Sequence, residues 1–207
     1  MRWSEDRKSA IRKKTCGANS RDSYISSSTR EINVMTKQYI KLMTLLIQEA
    51  VIANFEYWGE FIIRLQRDNA KRHPALRDWF GEGRIPPLFG LRLRGKWWIG
   101  EKEKWTLSVQ QFPMKGVPPI PIEAPLQAST LMMMLDSEIF EVRVDEDSNL
   151  MLVLSNGQTI AIQGVNEEWE ESWFLELPVD DPDRDQWSIV CDSQGHIYGR
   201  FPGPVAI

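Results

Sequence analysis

Between residues 36 and 72, apolar side chains recur at every third or fourth position, which is the spacing of one face of an α-helix. Thr36 is a good N-cap residue, and good helix formers continue to about Arg72. His73 precedes a proline and is therefore pushed out of the α region. The pattern predicts a long helix from Thr36 to about Arg72, either packed on more than one side or broken near Gly59.

The next stretch is punctuated by glycine and proline. A short helix is predicted over Pro74–Phe80, stopped by the glycines that follow. Residues 84–135 form a Pro-rich segment with two strand-like runs, Leu88–Arg94 and Trp97–Phe112. The second run is interpreted as a hairpin that turns through Gly100–Lys104.

From residue 136 onward, apolar and polar residues alternate in short runs separated by turns, which is typical of antiparallel sheets. Asn156-Gly157 between two apolar runs is a strong hairpin signal. The predicted fold class is therefore α+β, with the long N-terminal helix packed on an antiparallel β-sheet or open barrel. The predicted strands are Glu138–Val144, Leu150–Leu154, Gln158–Ile162, Ser172–Leu177, Trp187–Cys191 and His196–Phe201.

Two stretches show no periodicity. Residues 1–34 are basic and rich in serine, which predicts a disordered tail. The tail could instead be an arm for nucleic acid, or an upstream extension if translation begins at Met35. Residues 117–122 carry three prolines and predict an extended polyproline connector, because a PxxP ligand with a flanking arginine is missing.

Charge divides the chain into a basic front and an acidic back. Residues 136–207 hold sixteen acidic and three basic residues, whereas residues 1–135 hold 22 basic and 13 acidic ones. With the pattern above, this predicts four segments. They are a basic tail (1–34), a helical segment (35–83), the Pro-rich segment (84–135) and an acidic antiparallel β domain (136–207). Such asymmetry points to a charged partner or to two halves that face each other.

Composition limits the cellular setting. Cys16 and Cys191 lie far apart, so a disulfide framework is not expected and a reducing cytoplasm fits. The N-terminus lacks the apolar core of a signal peptide. The one membrane candidate, Leu42–Ile63, carries three glutamates. Each charge costs about 2.5–3.5 kcal/mol at a membrane centre, so no membrane association is predicted.

No motif of established chemistry is present. P-loop, GxGxxG, HExxH, GxSxG and CxxC patterns are all missing from the sequence. We therefore predict a non-enzymatic protein without cofactor or metal. An enzyme whose site carries no recognisable motif is a third hypothesis. The sequence leaves the oligomeric state open.

Two local patterns are candidates for reactive or metal sites. Cys191 and His196 could pair as nucleophile and base across a tight hairpin, but the surrounding acids would raise the thiol pKa. A buried cysteine and an exposed turn histidine are the plainer interpretation. Asp145 and Asp181 each begin a calcium-loop-like spacing that lacks the required glycine, so both are predicted to be solvated turns.

A basic aromatic run offers one binding hypothesis. Bases stack on aromatic rings while cations follow phosphates, so this composition suits single-stranded nucleic acid, although one Trp could equally belong to a core. The candidate residues are Arg92, Arg94, Lys96, Trp97 and Trp98.

The acidic run Glu167–Trp173 offers the other, and preferred, hypothesis. It combines a dense negative field with Trp169 and Trp173, and such a surface favours capture of a basic protein partner. Trp173 begins a strand and is predicted to enter the core, which leaves Trp169 exposed. The predicted partner-binding residues are Glu167, Glu168, Trp169, Glu170, Glu171, Asp180, Asp181, Asp183 and Asp185.

The segment Phe140–Arg200 resembles small acidic all-β bacterial domains of unknown function. The residues that carry the resemblance are Leu154–Ile162, with its Asn-Gly turn, and the later Trp169 and Ser172-Trp173. Such domains are similar to immunity-type proteins found beside secreted toxins. The resemblance covers about a third of the chain and implies an inhibitor that binds another protein.

Overall fold

A computed structural model describes residues 36–68, 73–81, 85–111 and 123–202. The predicted basic tail and polyproline connector lie outside these residues. The described part is a mixed α+β structure with antiparallel sheets. Its helices are residues 36–47 (α1), Pro74–Phe80 (α2), Lys102–Gln111 (α3) and Ala124–Met132 (α4). Its strands are Val51–Tyr57 (β1), Phe61–Gln66 (β2), Leu88–Leu93 (β3), Trp97–Ile99 (β4), Ile139–Val144 (β5), Leu150–Leu154 (β6), Thr159–Ile162 (β7), Glu171–Glu176 (β8), Ser188–Asp192 (β9) and Ile197–Arg200 (β10).

The long helix predicted from Thr36 to Arg72 is not confirmed. The described helix covers residues 36–47, Glu49 then adopts a positive φ of 64°, and β1 and β2 form an antiparallel hairpin. Gly59, at φ 85°, turns the hairpin. The apolar run in β2 is compatible with both a helix and a strand. Phe61, Ile63 and Leu65 occupy every second position, as residues on one face of a strand do. Pairing with β3 favours the extended conformation. The local sequence pattern cannot reveal this pairing, because strand partners lie far apart in the sequence.

The hairpin predicted within Trp97–Phe112 is also wrong. Only Trp97–Ile99 is extended, Gly100 at φ 72° ends the strand, and Lys102–Gln111 form a helix. The hydroxyl groups of Thr106 and Ser108 donate to carbonyls one turn earlier, and Trp105 anchors the helix in the core. The sequence reasoning also missed α4.

Two antiparallel sheets divide the strands between them. The larger has the order β1-β2-β3-β8-β9-β10, and the smaller has the order β4-β7-β6-β5. Every strand predicted in the last third is present within a residue or two of its expected bounds. These strands nevertheless do not form a sheet of their own, since β5, β6 and β7 join β4, whereas β8 pairs with β3.

The two sheets meet at two corners. At one corner Ile139 exchanges backbone hydrogen bonds with Glu49 and Ala50, so β1 and β5 adjoin. At the other corner β3 runs into β4 through Arg94-Gly95-Lys96. A Cβ on Gly95 would lie 2.8 Å from the carbonyl oxygen of Gln163, so glycine permits this close crossing. Buried residues of both sheets and of the helices belong to one hydrophobic core cluster among the described residues.

Helices α1 and α2 contribute to the core beside the larger sheet. An aromatic cluster surrounds Trp187, whose ring centroid is 4.8 Å from that of Phe80 and 5.8 Å from that of Phe201. Tyr39 of α1 stacks on Phe201 at 6.1 Å. The opposite face of the larger sheet carries arginine and glutamate side chains, and this face leads to the site described next.

Candidate functional site: an aromatic cleft beside an acidic loop

The acidic loop, residues 165–170, connects β7 to β8 and is held by one asparagine. The Asn166 side-chain oxygen accepts hydrogen bonds from the backbone N–H groups of Glu168 and Trp169, at 3.1 and 2.8 Å. Its amide nitrogen donates to Ser172 Oγ at 2.5 Å. Ser193 in the β9–β10 hairpin donates to the Glu170 carbonyl at 2.9 Å. These hydrogen bonds hold the backbone of the loop in place, and the loop presents Trp169, which is 50% exposed.

The β3–β4 crossing runs alongside this loop. The N–H of Gly95 donates to the Ser172 carbonyl at 2.6 Å, and that of Gln163 donates to the Lys96 carbonyl at 2.8 Å. These bonds hold Lys96 and Arg94 next to the acidic loop. The corner between the two sheets thus brings basic and acidic segments of distant sequence together.

A cleft of about 390 Å³ opens at this corner, and a smaller one of about 270 Å³ adjoins it. Lys96, Glu168 and Trp169 line both. We call the larger one the aromatic cleft. Its apolar lining includes Phe61, Leu93, Trp97 and Ala124, and its other lining residues include Tyr57, Glu60, Lys96, Glu123, Gln127, Glu168 and Trp169.

Aromatic rings form a continuous wall in the aromatic cleft. The ring centroids of Tyr57 and Phe61 are 4.8 Å apart, and those of Phe61 and Trp97 are 5.2 Å apart in an edge-to-face arrangement. Phe61 and Trp97 are buried, whereas Tyr57 is 39% exposed. Next to Tyr57, Trp58 is 78% exposed and its indole N–H donates to Glu56 at 3.1 Å. Trp58 does not line the aromatic cleft.

The arginines near the cleft are already paired with carboxylates. Glu60 accepts from Arg92 and from Arg94, each at 2.6 Å. Arg94 also pairs with Glu171, and Arg92 also pairs with Glu176 at 2.6 Å. Burial opposes ionisation of Glu60, but the hydrogen bonds from Arg94 and Arg92 outweigh it and lower its pKa. This buried network is charged and internally compensated.

The charged side chains at the rim of the cleft are exposed, unlike those of the arginine–glutamate network. Lys96 Nζ lies 3.6 Å from Glu168 Oε1, with the two side chains 71% and 64% exposed. Such a pair is weak and screened by salt. Within the described part of the chain, Glu167 and Glu170 form no ion pair. The rim therefore carries a negative excess that an incoming cation can meet.

The structure does not bring the five candidate nucleic-acid residues together on one free surface. Arg92 and Arg94 are engaged as described, and the guanidinium of each lies 5.2 Å from the centre of the Phe174 ring. Trp97 is only 5% exposed and belongs to the core. Trp98 points to the other face of β4, where Lys102 lies 4.6 Å from its ring centre. Of these five residues, only Lys96 has a largely exposed side chain, which lies near Glu168.

The predicted acidic surface separates into two clusters. Glu167, Glu168 and Glu170 lie before β8, whereas the aspartates of residues 180–185 lie after it. Five residue steps of strand correspond to about 17 Å between the ends of β8. In the second cluster the Asp181 carboxylate accepts from the Asp183 N–H, and Arg184 pairs with Glu176.

Of the hydrogen bonds between described residues, none joins Cys191 and His196. Cys191 is fully buried, and burial, with a smaller contribution from Asp192, raises the pKa of its thiol to about 12. His196 is exposed and its Nδ1 instead lies 3.1 Å from Asp192 Oδ2. Asp145, the start of one calcium-like spacing, accepts the N–H groups of Asp147 and Asn149, as a turn does. Among the described residues, no group of three or more potential metal ligands is clustered.

No described helix combines the length and the apolar character needed to cross a bilayer. Comparison with known proteins gives no significant match to a family model, a curated protein or a solved structure.

Proposed function

We propose that this protein is a non-enzymatic binding module that captures a basic partner protein at the aromatic cleft and the acidic loop. The observation that carries the proposal is Trp169, which stands half exposed on a well-connected loop among Glu167, Glu168 and Glu170. Interfaces concentrate their binding energy in aromatic anchors, and a negative rim accelerates encounter with a positive surface. An immunity-type inhibitor that binds a secreted toxin is the specific form of module that the resemblance of Phe140–Arg200 favours.

Two acidic clusters at opposite ends of β8 permit a charge-matched test. One variant carries Glu167→Gln, Glu168→Gln and Glu170→Gln, and the other carries Asp180→Asn, Asp183→Asn and Asp185→Asn. Both remove three negative charges from exposed side chains. Their effects on net charge are identical, so any difference in binding reports position.

The measurement is capture from a lysate of the source cells by the tagged full chain, at low and high salt, with nuclease treatment. We expect a basic protein that is retained by the wild type and the aspartate variant, released at high salt, and lost by about tenfold or more from the glutamate variant. Equal retention by both variants would contradict the proposed position. Release of the captured material by nuclease would favour the nucleic-acid alternative instead.

A further inference from the structure

We infer that the aromatic cleft is a receptor site for a single arginine side chain of the partner, an inference that rests on the proposed function and names what enters the cleft. An arginine has an apolar stem and a planar cation at its end. The cleft offers both environments in one volume of about 390 Å³.

The inner part of the cleft suits the stem. Phe61, Leu93 and Trp97 are buried apolar residues that line it. Tyr57 continues this wall outward, since its ring is 4.8 Å from that of Phe61. Trp169 lines the cleft from the acidic loop. A guanidinium group can stack on such exposed aromatic faces, which attract cations through their ring electrons.

The rim suits the guanidinium. Glu123 and Glu168 line the same cleft, and Glu167 and Glu170 belong to the adjoining loop. Arg94 also lines the cleft, but its positive charge is already paired with the carboxylates of Glu60 and Glu171. The remaining unpaired charge at the rim is negative, and this complementarity selects a cation rather than an anion.

Lys96 acts as an internal competitor for the same carboxylate. Its ammonium lies 3.6 Å from Glu168, and both groups are largely exposed. A bound arginine would replace this weak pair with a planar, two-pronged hydrogen-bonded one. Removal of the lysine should therefore strengthen binding of a cation, whereas it would weaken binding of a nucleic acid.

The test is a titration of the full chain with N-acetyl-arginine methylamide, followed by NMR. The matched ligand is N-acetyl-citrulline methylamide, which has nearly the same shape and no charge. We expect saturable shifts of the Lys96 and Glu168 amides and of the Trp169 indole N–H with the arginine compound, and about tenfold weaker binding of citrulline. Equal binding of the two compounds, or no shift at these residues, would overturn the inference.

Three variants separate the cleft from general surface charge. We expect Trp169→Ala to weaken arginine binding by about tenfold, Trp58→Ala to leave it unchanged, and Lys96→Met to tighten it severalfold. Trp169 is half exposed, so its loss should leave the fold intact, which thermal unfolding would check. If partner capture is lost in both the triple glutamate variant and Trp169→Ala but the arginine compound causes no saturable shifts, the proposed function stands and the arginine site does not. If capture persists in both variants, both ideas fail.

Discussion

Trp169 and Trp173 are four positions apart in the same acidic run, yet their surroundings differ completely. Trp173 is fully buried on the core face of β8, and its indole N–H donates to the Ser148 carbonyl at 3.1 Å. Trp169 precedes the strand, where the Asn166 turn directs the chain along the surface. The prediction that the first ring is exposed and the second is buried is confirmed. Strand position decides burial here, rather than the hydrophobicity of the side chain.

Cys191 illustrates a residue whose chemistry is suppressed by its place in the core. Because the pKa of its thiol is raised to about 12, the reactive thiolate is rare at pH 7 and still rare at pH 9. We expect Cys191 in a Cys16→Ser variant to resist alkylation by iodoacetamide while the protein is folded. The same thiol should react rapidly once the protein is unfolded in guanidinium chloride.

The measurement is mass spectrometry of the alkylated protein over time at pH 9. Burial favours the neutral thiol. Its contribution to the stability of the folded protein is complete below the unfolded pKa near 9.0 and is lost as the pH rises toward 12. If Cys191 were alkylated as fast in the folded protein as in the unfolded chain, its buried position would be contradicted. Such a result would support a reactive Cys191 thiol.

At the scale of elements, the β1–β2 hairpin does more than add two strands. The turn exposes Trp58 to solvent. It also places Glu60 between Arg92 of β3 and Arg94 of the β3–β4 crossing. Glu176 and Glu171 on β8 complete the network. The hairpin, β3 and β8 are therefore joined by ion pairs on the outer face, in addition to their backbone hydrogen bonds.

Glu60→Gln tests this network. The substitution keeps the shape of the side chain but leaves two partly buried arginines without their shared anion, so we expect a loss of about 1–3 kcal/mol in the free energy of unfolding at pH 7. The pKa of Glu60 is lowered in the folded state, so its stabilisation is present above the unfolded pKa near 4.5 and is lost as the pH falls below it. Urea unfolding at pH 7 and pH 3 should show the wild-type advantage shrinking at the lower pH.

Glu141→Gln is the matched control for that measurement. Glu141 also pairs with an arginine, Arg143, at 2.6 Å, but the pair lies on the exposed face of β5. Exposed pairs contribute little, so we expect no measurable change in stability. If the two substitutions had equal effects, burial of the Glu60 network would not be the cause.

At the scale of the whole molecule, the topology interleaves the two halves of the chain. Strands from the acidic last third pair with β3 and β4 from the basic middle, and β1 meets β5 at a corner. The opposite charges of the two halves meet inside one molecule at the Arg94–Glu171 and Lys96–Glu168 pairs. Part of the charge asymmetry is thus compensated within the molecule, and exposed carboxylates such as those of Glu167 and Glu170 retain part of the remainder.

This topology predicts that the acidic segment does not fold alone. A fragment of residues 136–207 would contain β5–β7 without β4, and β8–β10 without β3, so both sheets would lose a neighbour and the shared core. We expect no cooperative thermal transition for this fragment by circular dichroism. The compact unit Met35–Ile207 should unfold cooperatively. A cooperative transition in the short fragment would show instead that the last third is an independent domain.

The sequence by itself determined the α+β class and all six strands of the last third. Those strands are short, rich in apolar residues and bounded by turn residues, so local information suffices. The same holds for α2, which lies between His73-Pro74 and Gly81. Exposure of Trp169 could also be read from its position in an acidic loop.

Only the tertiary structure decided the rest. The stretch from residue 51 to 66 fits a helical and an extended period equally, and pairing with β3 resolves it. The helical interpretation left Tyr57 and Glu60 out of the candidate sites, although Gly59, an isolated glycine in an apolar run, could have indicated the hairpin turn. The cleft itself joins segments more than a hundred residues apart, Tyr57 and Trp169 among them. Contacts of that range depend on strand order and on the crossing at Gly95, which no local pattern encodes.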